Sequence, residues 1–239
     1  MSRRYIDFIS AYCDSWCERC AFTERCSSFA VKSALAMCDG NADAAFELAI
    51  GPPRVPGDRP QKNLHERMAE ALGDFEPSQK ELDEIGREMD DRDRRVARHG
   101  LAEASLDYAV AAHRWLTGHD RGADNTERAV REAIDVIGWD SHLIHVKIRR
   151  ALNGRDEHPR GAPFEKSAVQ SDWNGSAKVA LISLQRSEHA WRVVAAATAD
   201  EAATVLAGSL ERLRQETSRE FPRAMEFRRP GFDDRKRPG

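Results

Sequence analysis

Four cysteines near the N-terminus are the residues whose type and spacing could do chemistry. They are Cys13, Cys17, Cys20 and Cys26, in the pattern C-x3-C-x2-C-x5-C. Four thiolates this close in sequence can hold a zinc ion or an iron–sulfur cluster. The spacing matches neither paired zinc knuckles nor the common ferredoxin run. We therefore predict a metal site at these four cysteines, with zinc and an iron–sulfur cluster both open.

The secondary structure of the segment that carries these thiols limits how they could bind a metal. Spacings of four and three place Cys13, Cys17 and Cys20 on one side of a helix, in line with Ile6 and Ile9. An intact helix would separate Cys13 from Cys20 by ~10 Å along its axis, whereas thiolates on one zinc lie within ~4 Å of each other. Either the helix breaks near Cys17, or the thiolates surround a larger cluster, or no metal binds. A buried apolar stripe and a reactive dithiol at Cys17 and Cys20 also remain open.

Composition and charge exclude several functional classes. The fifth cysteine, Cys38, makes the set odd in a chain without an export signal, so disulfides are not expected. The formal charge is −3, from 37 basic and 40 acidic residues, and does not indicate nucleic-acid binding. No apolar run approaches the ~20 residues of a membrane helix, and Asp7 interrupts the stretch that a signal peptide would need. We expect a cytoplasmic protein without a membrane partner.

The chain divides by composition into four stretches. Ten residues, GPPRVPGDRP, hold four prolines and two glycines and exclude a helix or a central strand. They separate an apolar, cysteine-rich N-terminal module from the helical patterns that follow. The stretches are the module at residues 1–50, a Pro/Gly-rich connection at 51–77 with a short helix over Leu64 to Leu72, a helical bundle at 78–222, and a basic flexible tail at 223–239.

Helical periodicity dominates the stretch from residue 78 to residue 222. A capping box at Ser78 and Glu81 opens the first long helix. The clearest pattern runs from Asp124 to Gly154, where apolar residues recur at alternating spacings of three and four, as in a bundle seam. No stretch alternates with period two for long enough to predict a sheet. The fold class is therefore all-α, a bundle of four or five helices with a small cysteine-rich helical module.

Two further helices and one core complete the expected bundle. A helix rich in small residues runs from Gly175 to Thr198, and a capping box at Thr198 and Glu201 opens the last helix. The seam of the first of these faces the seam of the helix before it. We predict that one core contains Ile134, Ile137, Ile144, Ile148, Leu181, Leu184 and Trp191.

A second candidate site lies where the small-residue helix begins. Free N–H groups at a helix N-terminus attract anions, and Ser176 and Lys178 lie in that first part of the helix. In an antiparallel pair, Lys147 and Arg150 of the preceding helix would lie beside them. These four residues form a predicted site for a small anionic ligand. The alternative is ordinary N-capping with solvated surface charges.

Other catalytic patterns are weak or absent. No Glu-x-x-His pair supports a di-iron bundle, although Glu103 with Asp107 and His142 with His145 leave a non-standard metal site open. The sequence contains no nucleophile elbow, phosphate-binding loop, dinucleotide fingerprint or H-E-x-x-H motif. No reaction class is therefore indicated, and whether the protein is an enzyme remains open.

Three stretches of the sequence resemble known sequences. YCDSWCERCAFTERC resembles the N-terminal signature of a group of uncharacterised bacterial helical proteins, and DWNGSAKVALISLQRS and FRRPGF resemble their sequences as well. This resemblance implies no activity. The C-x3-C-x2-C triplet is also similar to the radical-SAM motif, but that family needs a β/α barrel, which the helical patterns do not favour.

Two functional hypotheses follow from these observations. The first is a metal-binding helical interaction protein, whose cysteine module docks a protein partner. The second is an enzyme, or a redox or ligand sensor, that uses a cysteine-bound cluster or an anion-binding pocket in the bundle.

Overall fold

The computed structural model describes residues 5–51, 77–118, 127–157 and 168–234. These residues form seven α-helices and five short 3-10 helices, and they contain no strand, which confirms the all-α fold class. No helix in this part of the chain is long and apolar enough to cross a membrane. The short helix predicted over Leu64 to Leu72 lies outside the described residues.

The chain folds into two units, and their division differs from the one that composition predicts. An N-terminal unit comprises Met1–Ser10 and Cys17–Asp90, and a bundle unit comprises Ala11–Trp16 and Asp91–Gly239. Six residues of the cysteine-rich stretch thus belong to the bundle. Their contacts with the bundle helices, described below, account for this assignment.

The N-terminal unit contains two short helices packed as a hairpin. Helix α1 is Ser27–Met37 and helix α2 is Ala42–Ile50. Asn41 caps α2 by accepting a hydrogen bond of 3.1 Å from the Ala44 N–H. The buried core of the hairpin consists of small side chains, Ala34, Ala45 and Ala49. So little apolar area limits the free energy that this core contributes.

Helix α3 is Gln79–Ala97, and the capping box predicted for its start is confirmed. The Ser78 N–H donates to the Glu81 carboxylate at 2.8 Å, and the Glu81 N–H donates to Ser78 Oγ at 3.4 Å. Only part of the apolar face of this helix is buried. Leu82, Ile85 and Met89 remain 47 to 53% exposed, whereas Val96 is buried in the bundle core.

Four helices build the bundle: α4 at Gly100–Gly118, α5 at Arg128–Glu157, α6 at Asp172–Thr198 and α7 at Glu201–Glu220. Helix α4 packs against α5 and α7, and α6 packs against the same two helices. Each of the four helices therefore contacts two others, as in a four-helix bundle. Helices α5 and α6 are antiparallel. Arg150, late in α5, pairs with Asp172 at the start of α6, and the earlier Asp140 pairs with the later Arg186.

The predicted core is confirmed as a single cluster. Six of its seven members are buried in that cluster, and Ile134 packs against it while partly exposed. The indoles of Trp115 and Trp191 meet edge to face, with ring centroids 4.9 Å apart. The Tyr108 hydroxyl, which accepts from the Trp191 N–H at 3.0 Å, also lies 2.9 Å from Ser187 Oγ, so the buried polar groups are paired.

Three predicted helix ends differ from the observed ones. Helix α6 begins at Asp172, because Ser171 accepts from the Asn174 N–H and acts as its cap. Helix α7 is capped by Asp200, since the predicted cap, Thr198, donates its hydroxyl back to the Val194 carbonyl. Helix α5 continues past Gly154 to Glu157, where Arg155 in its last turn contacts the Glu220 carboxylate and donates to the Glu220 carbonyl at 3.0 Å.

Candidate functional site

Residues Ala11–Trp16, which we call the strap, lie on helices α5 and α6 of the bundle unit. The side chains at alternate positions, Tyr12, Asp14 and Trp16, all contact the bundle. The strap is not an extended strand, because Ala11 and Tyr12 end the 3-10 helix Ile9–Tyr12 and only residues 13–16 are non-helical. Between them, Ser15 is exposed and has a φ of 59°, a left-handed backbone angle.

Tyr12 contacts the start of α6 and the C-terminal segment of the chain. Its hydroxyl donates to Asp172 Oδ1 at 3.1 Å, and its ring lies 4.6 Å from the ring of Phe227. Burial, together with the Asp172 charge and this hydrogen bond, raises the pKa of Tyr12 to about 12. The phenol therefore stays protonated, and a donor, at neutral pH.

Gly175 is the residue that lets these two rings approach α6. A Cβ atom added at this position would lie 2.5 Å from Cδ1 of Tyr12 and 2.8 Å from Cζ of Phe227. Both distances are shorter than any ordinary contact between carbon atoms. Two aromatic rings therefore occupy the space beside the Gly175 backbone.

Asp14 and Asp140 share one arginine. Arg186 donates to Asp14 Oδ2 at 2.7 Å and forms two hydrogen bonds, of 2.6 and 2.9 Å, with the carboxylate of Asp140. Asp140 is fully buried. Burial raises the pKa of Asp140, and the bidentate contact with Arg186 opposes that shift. The guanidinium thus links the strap to a buried charge of the bundle.

Trp16 completes the contacts of the strap through an aromatic stack. Its indole lies parallel to that of Trp139, with ring centroids 5.0 Å apart, and Arg186 lies 5.7 Å from the centre of the Trp16 ring. The Trp139 N–H donates to the main-chain carbonyl of Asp14 at 2.8 Å. Both the side chain and the backbone of the strap are therefore contacted by this part of α5.

Lys147 and Arg150, two of the predicted anion-site residues, also hold the strap. Lys147 Nζ donates to the Ala11 carbonyl at 3.2 Å, and Arg150 donates to the same oxygen at 3.4 Å. Arg150 in addition forms hydrogen bonds of 2.7 and 3.2 Å with Asp172. Burial lowers the pKa of Lys147 below its usual value.

Lys178, a third predicted anion-site residue, holds the C-terminal segment. Its ammonium donates to the carbonyls of Phe227 and Met225 at 2.6 and 3.2 Å and lies 2.7 Å from the Asp233 carboxylate. Burial alone would raise the pKa of Asp233, but hydrogen bonds from Arg229 and Lys178 outweigh it and hold that pKa well below its usual range. Within the described part of the predicted tail, Met225, Phe227 and Asp233 thus contact α6, and Phe227 is buried.

The anion prediction gains no support from these positions. Because α6 begins at Asp172, Ser176 and Lys178 lie beyond its first N–H groups. Ser176 is fully buried, and its hydroxyl has no hydrogen-bond partner among the described residues. Lys147, Arg150 and Lys178 contact segments of this chain. The anion site stays a prediction.

The cysteines do not lie on the continuous helix that their spacing suggests. Short 3-10 helices cover Ile9–Tyr12 and Cys17–Arg19, and residues 13–16 between them are not helical. Cys13 lies on the strap, whereas Cys17, Cys20 and Cys26 belong to the N-terminal unit. None of the four forms a disulfide, and all are of intermediate burial, which does not fit a stripe of core residues. Within the described ranges, no group of three or more His, Cys, Asp and Glu residues is placed to hold a metal ion.

The histidine pair considered for a non-standard metal site is partly engaged in packing. His145 Nδ1 lies 2.9 Å from the hydroxyl of the fully buried Ser105. Burial, followed by the charge of Arg149, lowers the pKa of His145. The neutral imidazole is therefore favoured at neutral pH, where it joins α5 to α4.

Replacing Gly175 by alanine is expected to destabilise the bundle by about 1 to 3 kcal/mol, as overpacking usually does. The new methyl group would force the Tyr12 and Phe227 rings to move. Urea unfolding followed by circular dichroism measures the change. Gly86→Ala is the matched control, because nothing lies within 4 Å of its added Cβ and alanine favours helix α3. Equal stability of the two variants would contradict the close approach at Gly175.

The site brings together three stretches that are distant in the sequence. The strap, the first half of α6 and the segment around Phe227 each supply contacts described above. The sequence analysis did not predict that these three stretches contact one another. Their shared richness in aromatic and charged residues was the one sequence feature that could have indicated it. No family model, curated protein or solved structure matches the chain.

Proposed function

We propose that the protein is a metal-binding helical interaction protein, in which the bundle anchors the strap and thereby holds one end of the cysteine-bearing stretch. One observation carries this proposal: the charged and aromatic groups of α5 and α6 converge on six residues that include Cys13. Cys17 follows the strap directly in the sequence. The anchored stretch is then available to a metal ion and to a protein partner.

The pairing of the charged groups supports an anchoring role over a catalytic one. Arg186 and Arg150 are bonded to carboxylates and to the strap, and Lys178 to the C-terminal segment. A pocket of about 340 Å³ between α6 and α7 shows the same pattern, because the buried Glu188 pairs with both of its arginines. A catalytic site instead keeps polar groups oriented for the substrate.

The cysteine stretch supports metal binding through its chemistry. Its four thiols form no disulfide, they are not fully buried, and they fall within 14 residues. The interruption of the helix at residues 13–16 also removes the strict ~10 Å separation that an intact helix would impose on Cys13 and Cys20. Structural metal sites commonly order their own ligands on binding, so a preformed group is not required.

Metal and sulfide analysis of protein purified without oxygen tests the metal proposal. We expect zinc, or iron with acid-labile sulfide, bound in stoichiometric amount. Cys13→Ser and Cys20→Ser should each lower the bound metal, because each removes a thiolate ligand, whereas Cys38→Ser is the matched control and should retain it. Protein that contains neither zinc nor iron and has five titratable thiols would refute the metal proposal.

A further inference from the structure

We propose that the surface under the strap is a peptide-recognition site, and that a partner presenting a Tyr-x-Asp-x-Trp segment in the conformation of the strap can replace the chain's own residues 11–16 there. We call this surface, formed by Trp139, Lys147, Arg150, Gly175 and Arg186, the strap-binding surface. The inference does not depend on metal binding. It assigns to the bundle the class of partner that it recognises.

The strap-binding surface contacts the backbone of its occupant. Two main-chain carbonyls, those of Ala11 and Asp14, accept hydrogen bonds from three bundle side chains, Lys147, Arg150 and Trp139. Contacts with main-chain carbonyls do not depend on the side chains of the occupant. They fix the position and direction of the bound segment, as in other modes of peptide recognition.

The side chains at alternate positions of the occupant give specificity. A first aromatic ring packs over Gly175 and against Phe227, the central carboxylate binds Arg186, and the last aromatic ring stacks on Trp139. The central position favours an acidic residue, because a charge-assisted hydrogen bond to a guanidinium is stronger than a neutral one. Aromatic and arginine anchors are also the groups that dominate binding energy at protein interfaces.

The contacts of the strap are of a kind that can exchange. They join residues that are 125 to 172 positions apart in the sequence. A segment of a separate chain could therefore make the same contacts as the strap. Asp14 and Arg186 keep 31 and 33% of their side chains exposed. Partly exposed polar contacts of this kind belong to the regions that open locally at low free energy. A partner with the same pattern would compete with the strap for the surface.

Binding of a synthetic peptide to the full chain tests this inference. The peptide covers residues 9–18, with serine at its two cysteines, and carries a fluorescent label for anisotropy measurements. The receptor is full-length protein with Tyr12→Ala and Trp16→Ala, whose strap lacks both aromatic anchors. We expect it to bind the peptide at least about tenfold more tightly than the wild type, in which the tethered strap competes at high effective concentration. A peptide with Asp14→Asn should bind at least about tenfold more weakly than the parent peptide.

A second receptor covers the case in which the double variant does not fold. Full-length Asp14→Asn protein preserves the shape of the strap and removes only its charge, so it should also bind the parent peptide more tightly than the wild type does. Folding of each receptor is checked by circular dichroism. Failure of every folded receptor to bind the peptide, or equal binding of the Asp14→Asn peptide, would overturn the inference. Neither result bears on bound metal, so the two proposals fail separately.

Discussion

Replacing Arg186 by methionine is expected to lower the free energy of unfolding by about 3 to 5 kcal/mol, the usual effect of removing one partner of a buried ion pair. Asp140 has no exposed surface, and Arg186 makes two hydrogen bonds with its carboxylate. Without the guanidinium, this carboxylate must stay charged in a buried place or take up a proton. Either outcome costs free energy, which urea unfolding of the variant measures.

A double variant separates the buried charge from the lost packing. Arg186→Met combined with Asp140→Leu leaves no fully buried charge uncompensated, since Asp14, the other partner of Arg186, is 31% exposed. The double variant should therefore recover most of the stability that the single variant loses. Arg128→Met is the matched surface control, because its side chain is 86% exposed, and it should change stability by less than about 0.5 kcal/mol. A loss below about 1 kcal/mol in Arg186→Met would show that the pair is not buried as described.

Truncating the core where α5 and α6 meet is expected to have an effect of similar size. Ile144→Ala and Leu184→Ala should each destabilise the protein by about 2 to 5 kcal/mol, because both side chains are completely buried and each truncation leaves a cavity. Unfolding in urea, followed by the helical circular-dichroism signal, provides the measurement. Leu82→Ala is the control. Its side chain on α3 is 47% exposed, so a smaller change is expected.

The two core variants also test the assignment of the buried faces. Ile144 and Leu184 were placed in one core from spacing alone, and both lie in one cluster of the bundle. Changes below about 0.5 kcal/mol at both positions, within the range of surface substitutions, would mean that these faces are not buried.

Local periodicity explains why the core was predictable. A helix repeats every 3.6 residues, so the apolar residues of one face are identified by their spacing within a single stretch. Ile137, Ile144 and Ile148 follow this rule and are fully buried. Leu82, Ile85 and Met89 follow the same spacing, yet they remain about half exposed. Spacing identifies the apolar face of a helix but not whether another element covers it.

The candidate site was less predictable because its contacts join distant parts of the chain. Tyr12 and Asp172 are 160 positions apart, and no local pattern relates them. Lys178 was assigned to an anion because its charge lies near a helix start. Its ammonium donates to the carbonyls of Phe227 and Met225, and main-chain acceptors have no signature in the sequence. Asp140 is fully buried, which spacing does not predict, because charged residues are rarely fully buried.

The separation of the strap from its binding surface affects the order of events during synthesis. Asp14 emerges from the ribosome early, but its partner Arg186 follows 172 residues later. At a translation rate of roughly 5 to 20 residues per second, the two are made about 10 to 30 s apart. Throughout that interval Cys13 is part of a nascent chain that still lacks Arg186. Any thiol chemistry or metal capture that occurs in this window therefore precedes the docking of the strap.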